Sequence, residues 1–151
     1  MKGRVKSIST SSKKGCKKKN TQIAVLKEDF GIVGDAHGGG ERQVSLLAIE
    51  SIEKMRKKGV DVTSGDFAEN ITTSGMDLMS LKLGSHLKIG KSALLEITHI
   101  GKVCHDRCEI FRQVGDCVMP REGIFAKVLK GGVIKPRDRM EVVKQWKSHT
   151  L

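Results

Sequence analysis

The residue best placed for chemistry in this sequence is a cysteine. The run Ile97-Thr98-His99-Ile100-Gly101-Lys102-Val103-Cys104-His105-Asp106-Arg107-Cys108 sets Cys104 beside Lys102, His105 and Arg107. Neighbouring cations favour the thiolate, the form that attacks sulfur, carries a persulfide or binds a soft metal. Cys108 and Cys117 extend the pattern to C-x3-C-x8-C with a neighbouring His. That spacing departs from the paired short knuckles of structural zinc. A zinc or iron site on Cys104, Cys108, Cys117 and His105 stays open as an alternative, and Cys108 and Cys117 read equally well as small buried hydrophobes. Cys16, between Lys14-Gly15 and Lys17, reads as a second reactive thiol or as an exposed passenger.

Two further stretches carry polar residues in suggestive order. Gly34-Asp35-Ala36-His37-Gly38-Gly39-Gly40-Glu41-Arg42-Gln43 combines glycines, which let backbone N–H groups face a ligand, with the rigid donor fork of Arg42. Such a loop is also common in ordinary turns. Gly65-Asp66-Phe67-Ala68-Glu69-Asn70-Ile71-Thr72-Thr73 offers Asn70 and Thr72 to a polar ring edge, although turn and capping duties explain them equally well.

The charge is concentrated near these residues. The 151-residue chain has a net charge of +11, and residues 1–20 hold eight Lys and Arg with no acid, which leaves +3 for the other 131. The lysine run around Lys13, Lys14, Lys17, Lys18 and Lys19 is either a solvated loop or an anion site for a phosphate-bearing ligand. Nucleic acid is disfavoured, because aromatic residues make up only 3% of the chain and no Tyr is present. Single-strand binders need rings on which bases stack, and lysines alone give salt-sensitive, non-specific affinity. No apolar run approaches the roughly 18–20 residues of a membrane span, and no apolar segment behind the start resembles a signal peptide. Uneven cysteine spacing argues against a disulfide framework, so a cytoplasmic, reduced protein is expected.

The elements that must position these residues read as short strands. Val5 to Ile8 alternates apolar and polar, and Gln22 to Leu26 reads as its hairpin partner, with the lysine run between them. A helix is predicted from Ser45, its stripe formed by Leu46, Leu47, Ile49, Ile52 and Met55, and stopping at Gly59. Strands are predicted near Thr73, at His86–Ile89, at Ala93–Ile100, at Val133-Ile134 and at Met140–Val143. A short helix is predicted over Gly123–Lys130. The sum is a mainly β protein: a small barrel with one medium and one or more short helices. A single domain over 1–151 is expected, with its core about 2–143 and a polar tail at 144–151.

Taken in order, these stretches resemble the MOSC domain, the module named for the C-terminal part of molybdenum cofactor sulfurases. The matching pieces are Lys13-Lys14-Gly15, Gly34 to His37, Arg42 to Leu47, Gly65 to Asn70, Gly101 to Cys104, Gly115 to Pro120 and Gly123 to Ala126. The likeness is greatest to small stand-alone bacterial members. It implies a β-barrel, molybdenum cofactor or molybdopterin as ligand, and Cys104 as the residue that carries sulfur or ligates molybdenum. It also implies cofactor-binding roles for Lys14, Arg42, Asn70 and His37. A phosphate-bearing pterin, a sulfur donor and a molybdoenzyme client are the implied partners, and a sulfur transferase or cofactor-dependent activity is the implied chemistry. Without the pyridoxal-phosphate domain of full sulfurases, these 151 residues are not expected to make persulfide from cysteine unaided. A non-catalytic cofactor carrier, a basic nucleic-acid binder and a zinc-site protein are the alternatives.

Overall fold

Alternating apolar and polar residues fold here into strands that close on themselves. In the computed structural model, described at residues 1–13, 17–101 and 122–144, the order begins β1 (Lys2–Thr10), β2 (Lys19–Thr21), β3 (Ala24–Lys27), β4 (Gly31–Ile32) and β5 (Val44–Ala48). It continues with α1 (Ile49–Lys57), β6 (Ile71–Ser74), a 3-10 turn (Leu78–Ser80), β7 (His86–Ile89) and β8 (Ala93–Ile100). The last strands are β9 (Ile124–Lys130), β10 (Gly132–Ile134) and β11 (Arg139–Lys144). Strands β1-β11-β7-β8-β9-β5-β6 return to β1, closing a seven-stranded barrel, and β2 extends from β1. Closure is possible because nine-residue β1 serves three neighbours in turn: β11 at Lys2–Arg4, β6 at Arg4–Ile8 and β2 at Ile8–Thr10. A second sheet, β10-β3-β4, stands beside it. Among the described residues, no helix is long and apolar enough to cross a membrane.

The barrel interior is filled by aliphatic side chains, among them Ile8, Leu46, Ile71, Leu95, Ile97 and Ile124, each at most 1% exposed. It is a packed core rather than a ligand cavity. A second apolar cluster lies outside the barrel wall, where Leu47 and Phe125 meet Ile52 and Met55 of α1 with Val60, Val62 and Phe67. Strand β5 is thus covered on both faces.

Three sequence expectations are corrected by these strands, two of them because of such double coverage. The predicted helix begins at Ile49, not Ser45; Val44–Ala48 is a strand buried at every position. The short helix over Gly123–Lys130 is instead β9, lying between β8 and β5. A strand buried on both sides reads as an unbroken apolar run, and periodicity cannot separate it from a buried helical turn. The hairpin partner of β1 is β2, whereas β3 pairs with β4 and β10. Gly59, with φ of 91°, ends the helix region as expected. Strands β7 and β8 have the predicted limits.

Candidate functional site

Lys18 belongs to the lysine run, yet it is buried. Its ammonium donates to Asp35 Oδ1 at 2.8 Å and to Ser11 Oγ at 3.1 Å, and it lies 3.2 Å from His37 Nδ1. The side chains of Lys18 and Asp35 are both fully buried. The Asp35 carboxylate also accepts from the backbone N–H groups of Ser11 and His37. Burial pushes the Asp35 carboxyl up, but hydrogen bonds from His37, Lys18 and the Ser11 backbone outweigh it and hold the group well below the usual carboxylate range. Asp35 Oδ1 and Ser11 Oγ accept from the ammonium and the His37 ring lies beside it, so this lysine organises the loop. Lys13, Lys17 and Lys19 remain exposed and carry the outward charge.

The glycine-rich loop behaves differently from the reading that its amides face a ligand. Gly38 N–H donates to Asp35 O, Gly39 N–H to Phe30 O and Gly40 N–H to His37 O, while Ala36 N–H donates to Ser11 O. A Cβ at Gly38 would collide with the Phe30 ring, so this glycine is there for packing. The loop is a self-bonded platform that leaves the His37 side chain partly exposed, 23% by area.

A row of side chains runs across the outer wall of the barrel beneath segment 60–69. Asn70 is fully buried; its Nδ2 donates to Ser9 O, and its Oδ1 accepts from the backbone N–H and hydroxyl of Ser45. It therefore laces β1, β5 and the start of β6 together. Ser45 is the register partner of Phe125, and Phe125 is the partner of His99. Buried Glu69 caps the turn ahead of Asn70, accepting from Gly65 N–H at 2.8 Å, Phe67 N–H at 3.2 Å and Thr72 Oγ1 at 2.9 Å. Burial raises its carboxyl pKa against the opposing pull of these bonds.

Arg42 lies over the Phe125 ring at 5.4 Å from its centroid, and the imidazole of His99 meets the same ring edge-on at 6.4 Å. His99 Nε2 is 3.4 Å from Glu41 Oε1. Arg42 Nε is buried yet has no hydrogen-bond partner among the described residues. Its neighbour Gln43 is fully engaged, donating to Asp29 Oδ1 and accepting from Val128 N–H. A buried guanidinium nitrogen without an acceptor suits an anionic oxygen. This group lies where β8 ends: Gly101 N–H donates to Gly123 O, and the cysteine segment leaves and returns between these two glycines.

Of the sequence-predicted residues, His37, Arg42 and Asn70 are in the described structure. Lys14 and Cys104 lie outside the described residues, as do Cys16, Cys108, Cys117 and the zinc alternative built on them. Among the described residues, no three His, Cys, Asp or Glu side chains gather as metal ligands. Sequence reasoning passed over Lys18, because nothing in a lysine run marks its one buried member. It also passed over Phe125 and His99, whose pairing depends on β9 being a strand.

Comparison with known proteins accords with this architecture. The model of the MOSC domain matches residues 33–141. No curated protein matches the sequence. Among solved structures, the YuaD protein from Bacillus subtilis superposes with a TM-score of 0.81 at 23% identity, over 97% of this chain and 98% of that one. YiiM from Geobacillus stearothermophilus gives 0.71 at 21% identity, over 94% of this chain and 75% of that one. YiiM from Escherichia coli gives 0.71 at 16% identity, over 98% and 72%. At these identities the likeness is one of fold.

Proposed function

This chain belongs to the MOSC domain family, and on that premise we propose that it binds molybdenum cofactor or molybdopterin and handles sulfur or molybdenum through Cys104. The observation that carries the reading is Arg42, whose buried Nε lacks an acceptor among the described residues, near the end of the strand that leads to Cys104. Cys104 follows Gly101 by three residues in the sequence. A phosphate-bearing pterin offers the missing acceptor, and the residues present fit it in that respect.

In this reading Arg42 holds the ligand phosphate with charge-assisted bonds, its plane steadied by Phe125. Lys13, Lys14, Lys17 and Lys19 raise the local positive potential. His37 offers its exposed ring edge, while Lys18 and Asp35 keep that ring in place. Asn70 acts as a positioning residue, holding the strands beneath Arg42 in register. The cofactor, when bound, supplies a molybdenum centre with affinity for thiolate sulfur. Cys104 works as a thiolate: it attacks the terminal sulfur of a donor's persulfide, a new S–S bond forms, and the donor sulfur leaves and takes up a proton. A sulfur-donor protein and a molybdoenzyme client are the partners such a step requires.

Titration of the full chain with isolated cofactor tests the reading. Arg42→Gln should weaken binding roughly tenfold or more, the worth of a charge-assisted bond. Cys104→Ser should retain the pterin but lose sulfur transfer. Stable binding without transfer in the wild type would assign the carrier role. Equal affinity of wild type and Arg42→Gln would overturn the proposal.

A further inference from the structure

Strand register on the other side of the barrel collects a second set of cations. Arg4 of β1 is the direct cross-strand partner of Arg139 of β11, and Lys2 lies two residues away on the same face. Like charges opposed across a strand pair are destabilising, so this arrangement is unfavourable unless an anion relieves it. The available acid is Glu141, which lies 3.9 Å from Lys2 Nζ; among the described residues Arg139 has no ion-pair partner. Arg4 is steadied by donation from Nη1 to Arg137 O at 3.0 Å. The two arginines border a groove of about 480 Å³ whose far wall is Ser74 and Gly75. A Cβ at Gly75 would meet nothing within 4 Å, so this wall is open.

The register continues the charge beyond the groove. Lys2 pairs with Glu141, Glu141 with Lys88, Lys88 with Leu94 and Leu94 with Lys130. One row therefore crosses five strands, its lysines two strands apart, or about 10 Å. Residues from widely separated parts of the chain make this stripe, so no run along the sequence shows it.

We propose that the groove between β1, β6 and β11 is an anion site, separate from the Arg42 group, that takes a phosphate group through Arg4, Arg139 and Lys2. Three lining cations against one lining acid, with the Glu50 carboxylate taken up by the Gly75 N–H, match a dianionic phosphate monoester better than a single carboxylate. Two guanidinium forks on adjacent strands suit its several oxygens. The phosphate comes either from a small molecule or from a polymer whose further phosphates follow the row to Lys88 and Lys130.

Nuclear magnetic resonance titration of the full chain tests this, following the amides of Gly3, Gly75 and Arg139 with inorganic phosphate and, separately, with a duplex oligonucleotide. Saturable shifts are expected with phosphate, weakened roughly tenfold or more in Arg4→Gln and in Arg139→Gln and unchanged in Arg42→Gln. Arg139→Gln should also raise the melting temperature at low salt by removing the opposed charge, and phosphate should raise that of the wild type. Duplex shifts that reach Lys88 and Lys130 and weaken in Lys88→Gln would identify a polymer as the source. Shifts confined to the groove would identify a small ligand. Shifts that chloride reproduces at equal concentration, or that survive in the double variant Arg4→Gln/Arg139→Gln, would overturn the site.

Discussion

Replacing Lys18 with Met should be among the most damaging single changes in this chain. Lys18 and Asp35 are fully buried and 2.8 Å apart. Removing the ammonium leaves the Asp35 carboxylate buried with only backbone N–H groups and His37 to compensate it. Breaking a buried pair from one side costs about 3–5 kcal/mol. In a protein of this size that lowers the melting temperature by roughly 6–20 °C. The loss has a pH signature. In the wild type the Asp35 pKa is depressed in the folded state, so its contribution is present above the ordinary carboxylate value and fades as pH falls through the depressed one. In the variant, burial acts on Asp35 without the ammonium, and that contribution is lost at neutral pH. The gap between the two proteins should be widest near pH 7 and shrink below about pH 4. Urea denaturation at several pH values measures it, and Lys18→Met combined with Asp35→Asn should regain much of the loss. A gap under about 1 kcal/mol at pH 7, or one that does not change with pH, would refute the reasoning.

Asn70→Ala should cost about 2–5 kcal/mol in urea denaturation, because it strands the Ser9 carbonyl and the Ser45 N–H in a buried setting. Gly65→Ala should cost about 1–3 kcal/mol, since the residue has φ of 95° and its new Cβ would meet the Lys18 carbonyl. Glu69 has its pKa raised by burial, so its favourable contribution exists below the ordinary value of 4.5 and declines as pH rises through the raised one. The stability of wild type relative to Glu69→Gln should therefore fall between pH 4.5 and neutrality, and a flat difference would contradict the burial argument.

The strands that face the lumen on one side and solvent on the other were legible, because their residues alternate. Leu87 and Ile89 turn inward while Lys88 turns outward, and the limits of β7 follow. Strands β5 and β9 were not, since Leu46 faces the lumen, Leu47 faces α1, and both are apolar. Misreading β9 as a helix also hid the Phe125 ring on which Arg42 rests. In the candidate site, Arg42 was legible as a donor fork suited to anions, His37 entered only through the resemblance, and the sequence order of the motifs pointed to the family. The engagement of Asn70 with Ser9 and Ser45, and of Lys18 with Asp35, depends on contacts between residues 17–61 positions apart, which no local pattern records. The Arg4–Arg139 pair is the extreme case, since barrel closure alone brings the two together.

In the proposed function this barrel holds a molybdenum-cofactor pterin at Arg42 and works on sulfur or metal at Cys104. Native mass spectrometry of wild type and Arg42→Gln, both purified without oxygen, tests it most directly. A pterin mass is expected on the wild type, lost or sharply reduced in Arg42→Gln, together with molybdenum or an added sulfur that maps to Cys104. A wild type free of pterin that also takes up none when cofactor is supplied, or a variant that retains pterin as fully as the wild type, would contradict it.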